Sequence, residues 1–217
     1  MAKIVIFGTQ DFAQLAHFYF KNDTEHEVVA FTLDKKYMSA TELMGLPVVD
    51  FETVQLIYPP SEYQLFVPMS PTKMNVIRAE KYNEAKNKGY ELISYVSSKA
   101  TYYGTPVGDN CFIFENNVIQ PFTEIGNNVV MWSGNHIGHH SVIMSHCFIA
   151  SHAVVSGHVT IDEHCFLGVN ATIKDNVYLA KHTFVGAGAL ILDNTVEYGV
   201  YPGIKAEVSK VPSNKLR

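Results

Sequence analysis

Residues 129–161 read VVMWSGNHIGHHSVIMSHCFIASHAVVSGHVTI. An aliphatic side chain returns at every sixth place: Met131, Ile137, Ile143, Ile149, Val155 and Ile161. The register runs without insertion from Val107 to Ile191, fifteen hexads in all. Two places before each aliphatic residue stands a small, β-branched or amide side chain, as in Cys111, Asn117, Thr123, Val129, Asn135 and Ser141. A period of six matches neither a 3.6-residue helix nor the alternation of a long strand. It matches short strands joined by tight corners and stacked as a solenoid.

The repeat specifies its own geometry. With each hexad numbered from its aliphatic residue, positions 5, 6, 1 and 2 form a strand, with 5 and 1 pointing inward. Positions 3 and 4 form the corner. Position 4 is nearly always Asn, His or Gly, the residues that enter left-handed backbone conformations at least cost. Three hexads close a triangular coil of eighteen residues, and fifteen hexads give about five coils. At roughly 4.8 Å per stacked strand the prism is about 24 Å long.

Composition bounds the function. The chain has 217 residues, 47% of them hydrophobic and 17% charged, with a net charge of -5. That balance is ordinary for a globular enzyme, and the negative charge argues against nucleic acid as a partner. No apolar run reaches the ~18 residues of a membrane span, and no signal peptide is seen, so a cytoplasmic location is expected. Cys111, Cys147 and Cys165 all occupy inward position 5. They read as reduced packing residues, not as a disulfide or a metal site.

Ahead of the repeat, strand-like runs cover Lys3–Phe7, Glu27–Leu33, Leu65–Val67 and Glu91–Val96, and helical patterns cover 11–20 and 72–88. This alternation predicts a small α/β unit with a parallel sheet. The expected division is an α/β domain over 1–96, a solenoid over 97–198 and a tail over 199–217. Gly8, Thr9 and Asp34 fall at the carboxyl ends of the first two strands, where such sheets take ligands. The bland reading of Asp34 is an aspartate that simply ends a strand.

The outward positions sort into three walls. One carries Phe112, Phe114, Val130, Trp132, Phe148, Ala150, Phe166, Gly168, Phe184 and Gly186, with no charge. An uncharged aromatic wall needs a cover, and a neighbouring subunit is the expected one. Gly168 and Gly186, at outward positions eighteen apart, suggest a flat groove along the backbone.

Six of the ten histidines (His140, His146, His152, His158, His164 and His182) fill corner position 4 and read as structural. Spaced by six, they are expected on different edges of the prism, which speaks against a metal site. His139 alone occupies position 3, and Gly157 stacks on it one coil later. A base beside a backbone N–H is what acyl transfer from a thioester requires: one takes the acceptor's proton, the other faces the oxyanion. The alternative for His139 is a surface turn residue.

The run IGHHSV from Ile137, followed by VSGHVTIDEHCFLGVNATIKDN, resembles the NeuD/PglD-like sugar O-acyltransferase family, bacterial nucleotide-sugar N-acetyltransferases with a hexapeptide repeat. The resemblance extends over the whole chain. It implies an N-terminal Rossmann-like domain that binds the nucleotide-sugar, followed by a left-handed parallel β-helix that binds acetyl-CoA. It further implies a cytoplasmic homotrimer that needs no metal, no nucleic acid and no membrane, and that moves an acetyl group to the amine of a nucleotide-linked amino-sugar in surface glycan biosynthesis. By hexad register the family's catalytic histidine falls on His139 and its CoA-side glycine on Gly157. Gly168, Gly186 and Ala187 would line the pantetheine groove, Lys205 in the tail would approach the CoA phosphates, and Gly8, Thr9 and Asp34 would bind the acceptor. Three places depart from the family. His140 stands where an orienting carboxylate often follows the catalytic histidine. Phe148 replaces a second CoA-binding histidine, and Phe12 replaces the histidine of the N-terminal loop. Two other readings stay open at this level: O-acetylation of a sugar hydroxyl, and a non-catalytic β-helix scaffold.

Overall fold

The computed structural model describes residues 1–211 and 213–215. The N-terminal unit comprises β1 (Lys3–Phe7), α1 (Asp11–Asp23), β2 (Glu27–Leu33), β3 (Glu42–Leu43), β4 (Leu46–Asp50), α2 (Val54–Ile57), β5 (Gln64–Phe66) and α3 (Val76–Asn87). The strand order is β3-β4-β2-β1-β5. All pairings are parallel except the short β3–β4 hairpin. Ile4, Val5 and Ile6 in the middle of the sheet have no exposed surface. Such continuous apolar runs are what a parallel strand covered on both faces needs.

Several elements differ from the sequence reading. β3, β4 and α2 were not expected, and Pro47 within β4 is tolerated because it faces the outer β3. Helix α3 begins at Val76 and not near residue 72. Lys73, Met74 and Asn75 have φ of 51°, 52° and 66°, so the chain makes a left-handed turn first. Gly89, at φ 89°, ends that helix as expected.

From Tyr95 onward the chain winds as a parallel β-helix of triangular section. Its three sheets have seven, six and four strands. Partners lie eighteen residues apart, as in Val130↔Phe148↔Phe166. The stacked parallel sheets fit a left-handed β-helix. From Asn110 to Gly188 the Asn, His and Gly residues at position 4 take positive φ, from 55° at Asn110 to 81° at Gly134, which is how the corner turns. Of the segment expected as a fourth strand of the N-terminal sheet, 91–96, the first half joins that sheet, with Leu92 bridging Leu65 in parallel, while Tyr95–Val96 opens the solenoid by pairing with Phe112–Ile113. At the other end Val200–Tyr201 pairs with Phe184–Val185. Both end rungs lie outside the hexad register, which is why the prism is longer than the repeat suggested.

The prism core is the stack of position 1 and position 5 residues, nearly all without exposed surface. Polar members of that stack are satisfied internally. Asn117 Nδ2 donates to the carbonyls of Phe114 and Trp132 at 2.8 and 3.0 Å. Asn135 Nδ2 donates to Asn117 Oδ1 at 2.9 Å. Buried amides require such ladders.

The aromatic wall is not left for a neighbouring subunit to cover: the chain's own N-terminal unit sits on it. Phe112, Phe114, Val130 and Phe148 form one buried cluster with Ile4, Ala16, Phe20, Phe31 and Phe66. Trp132 stacks on Phe114 at 4.8 Å and meets Phe12 edge-on at 5.8 Å. An apolar sheet face and an apolar helix stripe thus bury each other within one chain.

The corner at 109–110, 127–128 and 145–146 is gripped by α3. The Arg78 side chain, fully buried, donates to the carbonyls of Asn128, His146 (3.0 Å) and Cys147 (3.1 Å) and to Asn75 Oδ1 (2.8 Å). Asn110 binds both backbone groups of Val67, at 2.8 and 3.1 Å. Among the described residues, no helix is long and apolar enough to cross a membrane.

Candidate active site

Three edges separate the three walls, and the position 4 residues label them. The first edge carries Asn110, Asn128, His146, His164 and His182; it lies under the N-terminal unit. The second carries Asn116, Gly134, His152, Asn170 and Gly188. The third carries Phe122, His140, His158 and Asn176, opposite the aromatic wall. His139 and Gly157 stand on the third edge.

There His139 lies against Gly157. A Cβ on Gly157 would fall 2.8 Å from His139 Cε1 and 2.9 Å from Nε2, so only glycine leaves room for the ring. The Gly157 N–H has no hydrogen-bond partner among the described residues, while its carbonyl accepts from Asn176 at 3.1 Å. The His139 main chain is fixed on both sides. Its N–H donates to Gln120 Oε1 at 2.9 Å, and its carbonyl accepts from the His158 N–H at 2.9 Å. The ring is exposed and within reach of a ligand. His139 and Gly157 therefore stack one coil apart, as the spacing predicted.

The edge also holds side chains whose part in it was not read from the sequence. His139 Nδ1 and His140 Nδ1 are 3.0 Å apart. The His140 ring lies between Phe122, at 4.7 Å, and His158, at 4.9 Å and 13° from parallel. The expectation that the histidines cannot converge is corrected here. Residues six apart do lie on different edges, but residues eighteen apart stack, and nitrogens of His139, His140 and His158 lie within 4.8 Å of one another. Their ring planes do not form a cage. Parallel rings stacked 4.9 Å apart cannot both aim in-plane lone pairs at a cation ~2.1 Å away. The eighteen-residue spacing of His140 and His158 was the signal for this stack.

The other candidates are distributed elsewhere. Gly8 and Thr9 line a cavity of about 640 Å³ at the carboxyl ends of β1 and β5, with Gln10, Phe12, Tyr37, Pro68, Met69 and Ser70. Asp34 is not among its lining residues; its Oδ1 holds Lys81 Nζ at 2.8 Å, which agrees with the bland reading of a strand-ending aspartate. Gly168 and Gly186 are buried on the aromatic wall and do not form an open groove. Added Cβ atoms there would meet Ala187 N at 2.5 Å and Gly203 N at 2.9 Å, so these glycines let successive coils close up. Ala187 is exposed on the second edge, and Lys205 is exposed on the extended tail. Within one chain, then, neither the strand-end cavity nor Gly168, Gly186 and Ala187 come to the edge of His139. Phe12 and Phe148, two of the departures from the family pattern, meet at 6.3 Å. They form one apolar contact between the two halves of the chain.

The first edge shows what burial does to the same residue type. Burial, chiefly, and then the neighbouring His164 and Arg78 pull the His146 pKa down to about 4. Burial first and His182 second lower that of His164. His146 stacks with His164, and Tyr82 packs edge-on at 5.5 Å.

No protein-family model and no curated protein matches the chain. Solved structures do. A mutant of perosamine N-acetyltransferase from Caulobacter crescentus, in complex with CoA and GDP-perosamine, aligns with a TM-score of 0.82 at 20% identity, covering 97% of this chain and 98% of that one. The acetyltransferase domain of PglB from Neisseria gonorrhoeae aligns with a TM-score of 0.78 at 16% identity, covering 92% and 96%. WeeI from Acinetobacter baumannii gives 0.77 at 18% identity, covering 94% and 97%. The chain shares the fold of these proteins over both its halves.

Proposed function

We propose that the protein is an acetyl-CoA-dependent N-acetyltransferase of the NeuD/PglD-like kind, acting on the amine of a nucleotide-linked amino-sugar. The observation that carries this reading is the juxtaposition of His139 Nε2 with Gly157 and its unused N–H. The neutral acceptor amine attacks the acetyl thioester. His139 takes the amine's proton, the Gly157 N–H stabilises the oxyanion, and CoA thiolate leaves. The acetyl group goes directly to nitrogen without an acyl-enzyme, and no metal is needed. Structural neighbours that hold CoA and GDP-perosamine support the choice of co-substrate and acceptor class.

The N-terminal unit is read as a Rossmann-like acceptor domain, with Gly8 and Thr9 lining its cavity and Asp34 at the end of β2, outside that lining and paired with Lys81. Since that unit sits on the aromatic wall and His139 stands on the opposite edge, one chain does not bring acceptor and base together. A homotrimer does, by setting the third edge of one subunit against the second edge of the next. There the exposed Ala187 borders the pantetheine groove, with Gly168 and Gly186 buried behind it, and Lys205 meets the CoA phosphates. Val154, Leu190 and Leu192 on the second wall are 41%, 61% and 52% exposed, and supply apolar surface for that contact. The cell compartment expected for such chemistry is the cytoplasm.

The test is release of CoA from acetyl-CoA with a panel of UDP-, GDP- and dTDP-linked amino-sugars and their hydroxy analogues. Turnover with an amino-sugar supports the reading. Turnover with the hydroxy analogue alone assigns O-acetylation, and no acetyl-CoA binding leaves the scaffold.

A further inference from the structure

We propose that His140 is the positioning residue of the site: its Nδ1 accepts a hydrogen bond from His139 Nδ1–H and so leaves His139 Nε2 free of a proton. The inference rests on the reading of His139 as the base. The two Nδ1 atoms are 3.0 Å apart, and the two rings are nearly perpendicular, at 87°. At that distance one nitrogen carries hydrogen and the other a lone pair. With Nδ1 turned to His140, Nε2 is the ring nitrogen left to take a proton, so a functioning base needs its hydrogen on Nδ1. His140 must then be the acceptor, with its own hydrogen on Nε2.

The surroundings hold His140 for this task. Phe122 covers one face and His158 the other. Phe122 is 74% exposed and takes φ 65° at a corner where other coils use Asn, His or Gly. A bulky residue in that conformation is unfavourable, and its ring is spent on the His140 stack. The titratable groups in contact with His140 are His139 and His158.

The proton accounting is closed. As the amine attacks, its proton passes to His139 Nε2, and the new imidazolium keeps Nδ1–H on His140, now as a charge-assisted bond. An extra proton on His140 reverses the arrangement. His140 then donates, His139 Nδ1 accepts, and Nε2 of the neutral His139 carries hydrogen. A single proton on the pair therefore switches off the base.

Three substitutions separate the elements of the claim. His140→Asn and His140→Asp each place an oxygen near Nδ1 and tolerate the corner conformation; His140→Gly keeps the corner and removes the acceptor. His140→Asn is expected to retain activity within about threefold. His140→Gly is expected to lose about tenfold in kcat, less than removal of the base itself. The acid limb of kcat/KM should move up in His140→Asp, where the carboxylate favours the imidazolium, and down in His140→Gly, where the acceptor is gone. Nitrogen-15 spectra of the histidine rings, which need no turnover, should show His139 protonated at Nδ1 in the wild type at neutral pH. A wild-type His139 protonated at Nε2, or a His140→Gly variant with unchanged kcat and acid limb, would overturn the proposal. Failure of every acceptor in the CoA assay would instead refute the functional reading, and the tautomer would still decide the His139–His140 bond.

Discussion

His146 and His140 occupy the same place in their hexads, with φ of 67° and 57°. His146 is packed between Asn128, His164 and Tyr82 beneath the N-terminal unit, and burial holds its ring neutral. His140 stands exposed between Phe122 and His158, with its Nδ1 against His139. The repeat asks for a residue that turns a left-handed corner, and histidine meets that demand on either edge. What the ring then does is set by what packs over it. On the first edge it packs beneath the N-terminal unit; on the third it borders the exposed His139 ring and Gly157.

If the first edge is an interface, breaking its grip gives the largest change in stability. Arg78→Met removes the donor shared by the carbonyls of Asn128, His146 and Cys147. It relieves a buried charge at the same time. The net loss expected is about 2–4 kcal/mol in urea unfolding, since each stranded acceptor costs about 1–3 kcal/mol. An unchanged midpoint would mean that the carbonyls find other partners.

The aromatic wall gives the next effect. Trp132→Asp places a charge between Phe114 and Phe12 and should cost about 1–3 kcal/mol of stability. Light scattering should find the subunit number unchanged, because the wall is covered from within the chain. Dissociation without loss of fold would restore the wall to a subunit contact.

A pH series probes the first edge through linkage. The folded His146 pKa, at about 4, lies below the 6.5 of a free imidazole. Its contribution is present above about 6.5 and is lost as the pH falls toward 4, because the unfolded chain binds the extra proton. The fall in Tm between pH 7 and pH 4.5 should therefore be smaller in His146→Asn. Equal falls in the wild type and His146→Asn would remove burial of His146 as a source of the pH dependence.

How far these features could be read in advance follows from how local they are. The hexad alone specified walls, corners and the pairing of residues eighteen apart, since each coil repeats one local solution. It also placed His139 on Gly157. The cover of the aromatic wall was not legible, because α1 and β1 carry no sign of which surface they seat on. Residues 91–96 were read as one strand, yet only Glu91–Ile93 joins the sheet, because Tyr95–Val96 is a solenoid rung without a hexad. The cavity lining Pro68–Ser70 was missed because it belongs to a loop, and the left-handed turn at Lys73–Asn75 that starts α3 late contains no glycine to announce it.

The smallest effect belongs to Asp34, which the structure ties to Lys81. Under the proposed function, Asp34→Ala should raise the acceptor KM by less than tenfold and leave kcat nearly unchanged, as a uniform binding contact does. Steady-state kinetics with the preferred acceptor decide it, and an equal fall in kcat and kcat/KM would place Asp34 closer to the reaction.

The central claim is that the third edge carries the chemistry and the first edge does not. Its direct measurement is acetyl-CoA turnover by His139→Asn beside His146→Asn, with acetyl-CoA affinity measured for both. Loss of a positioned base costs 10²- to 10⁴-fold, so His139→Asn should lose at least about a hundredfold in kcat while still binding acetyl-CoA. His146→Asn, which puts at that corner the residue already present at Asn128, should turn over at the wild-type rate. Near-full activity in His139→Asn together with loss in His146→Asn would contradict the assignment and move the site to the buried edge.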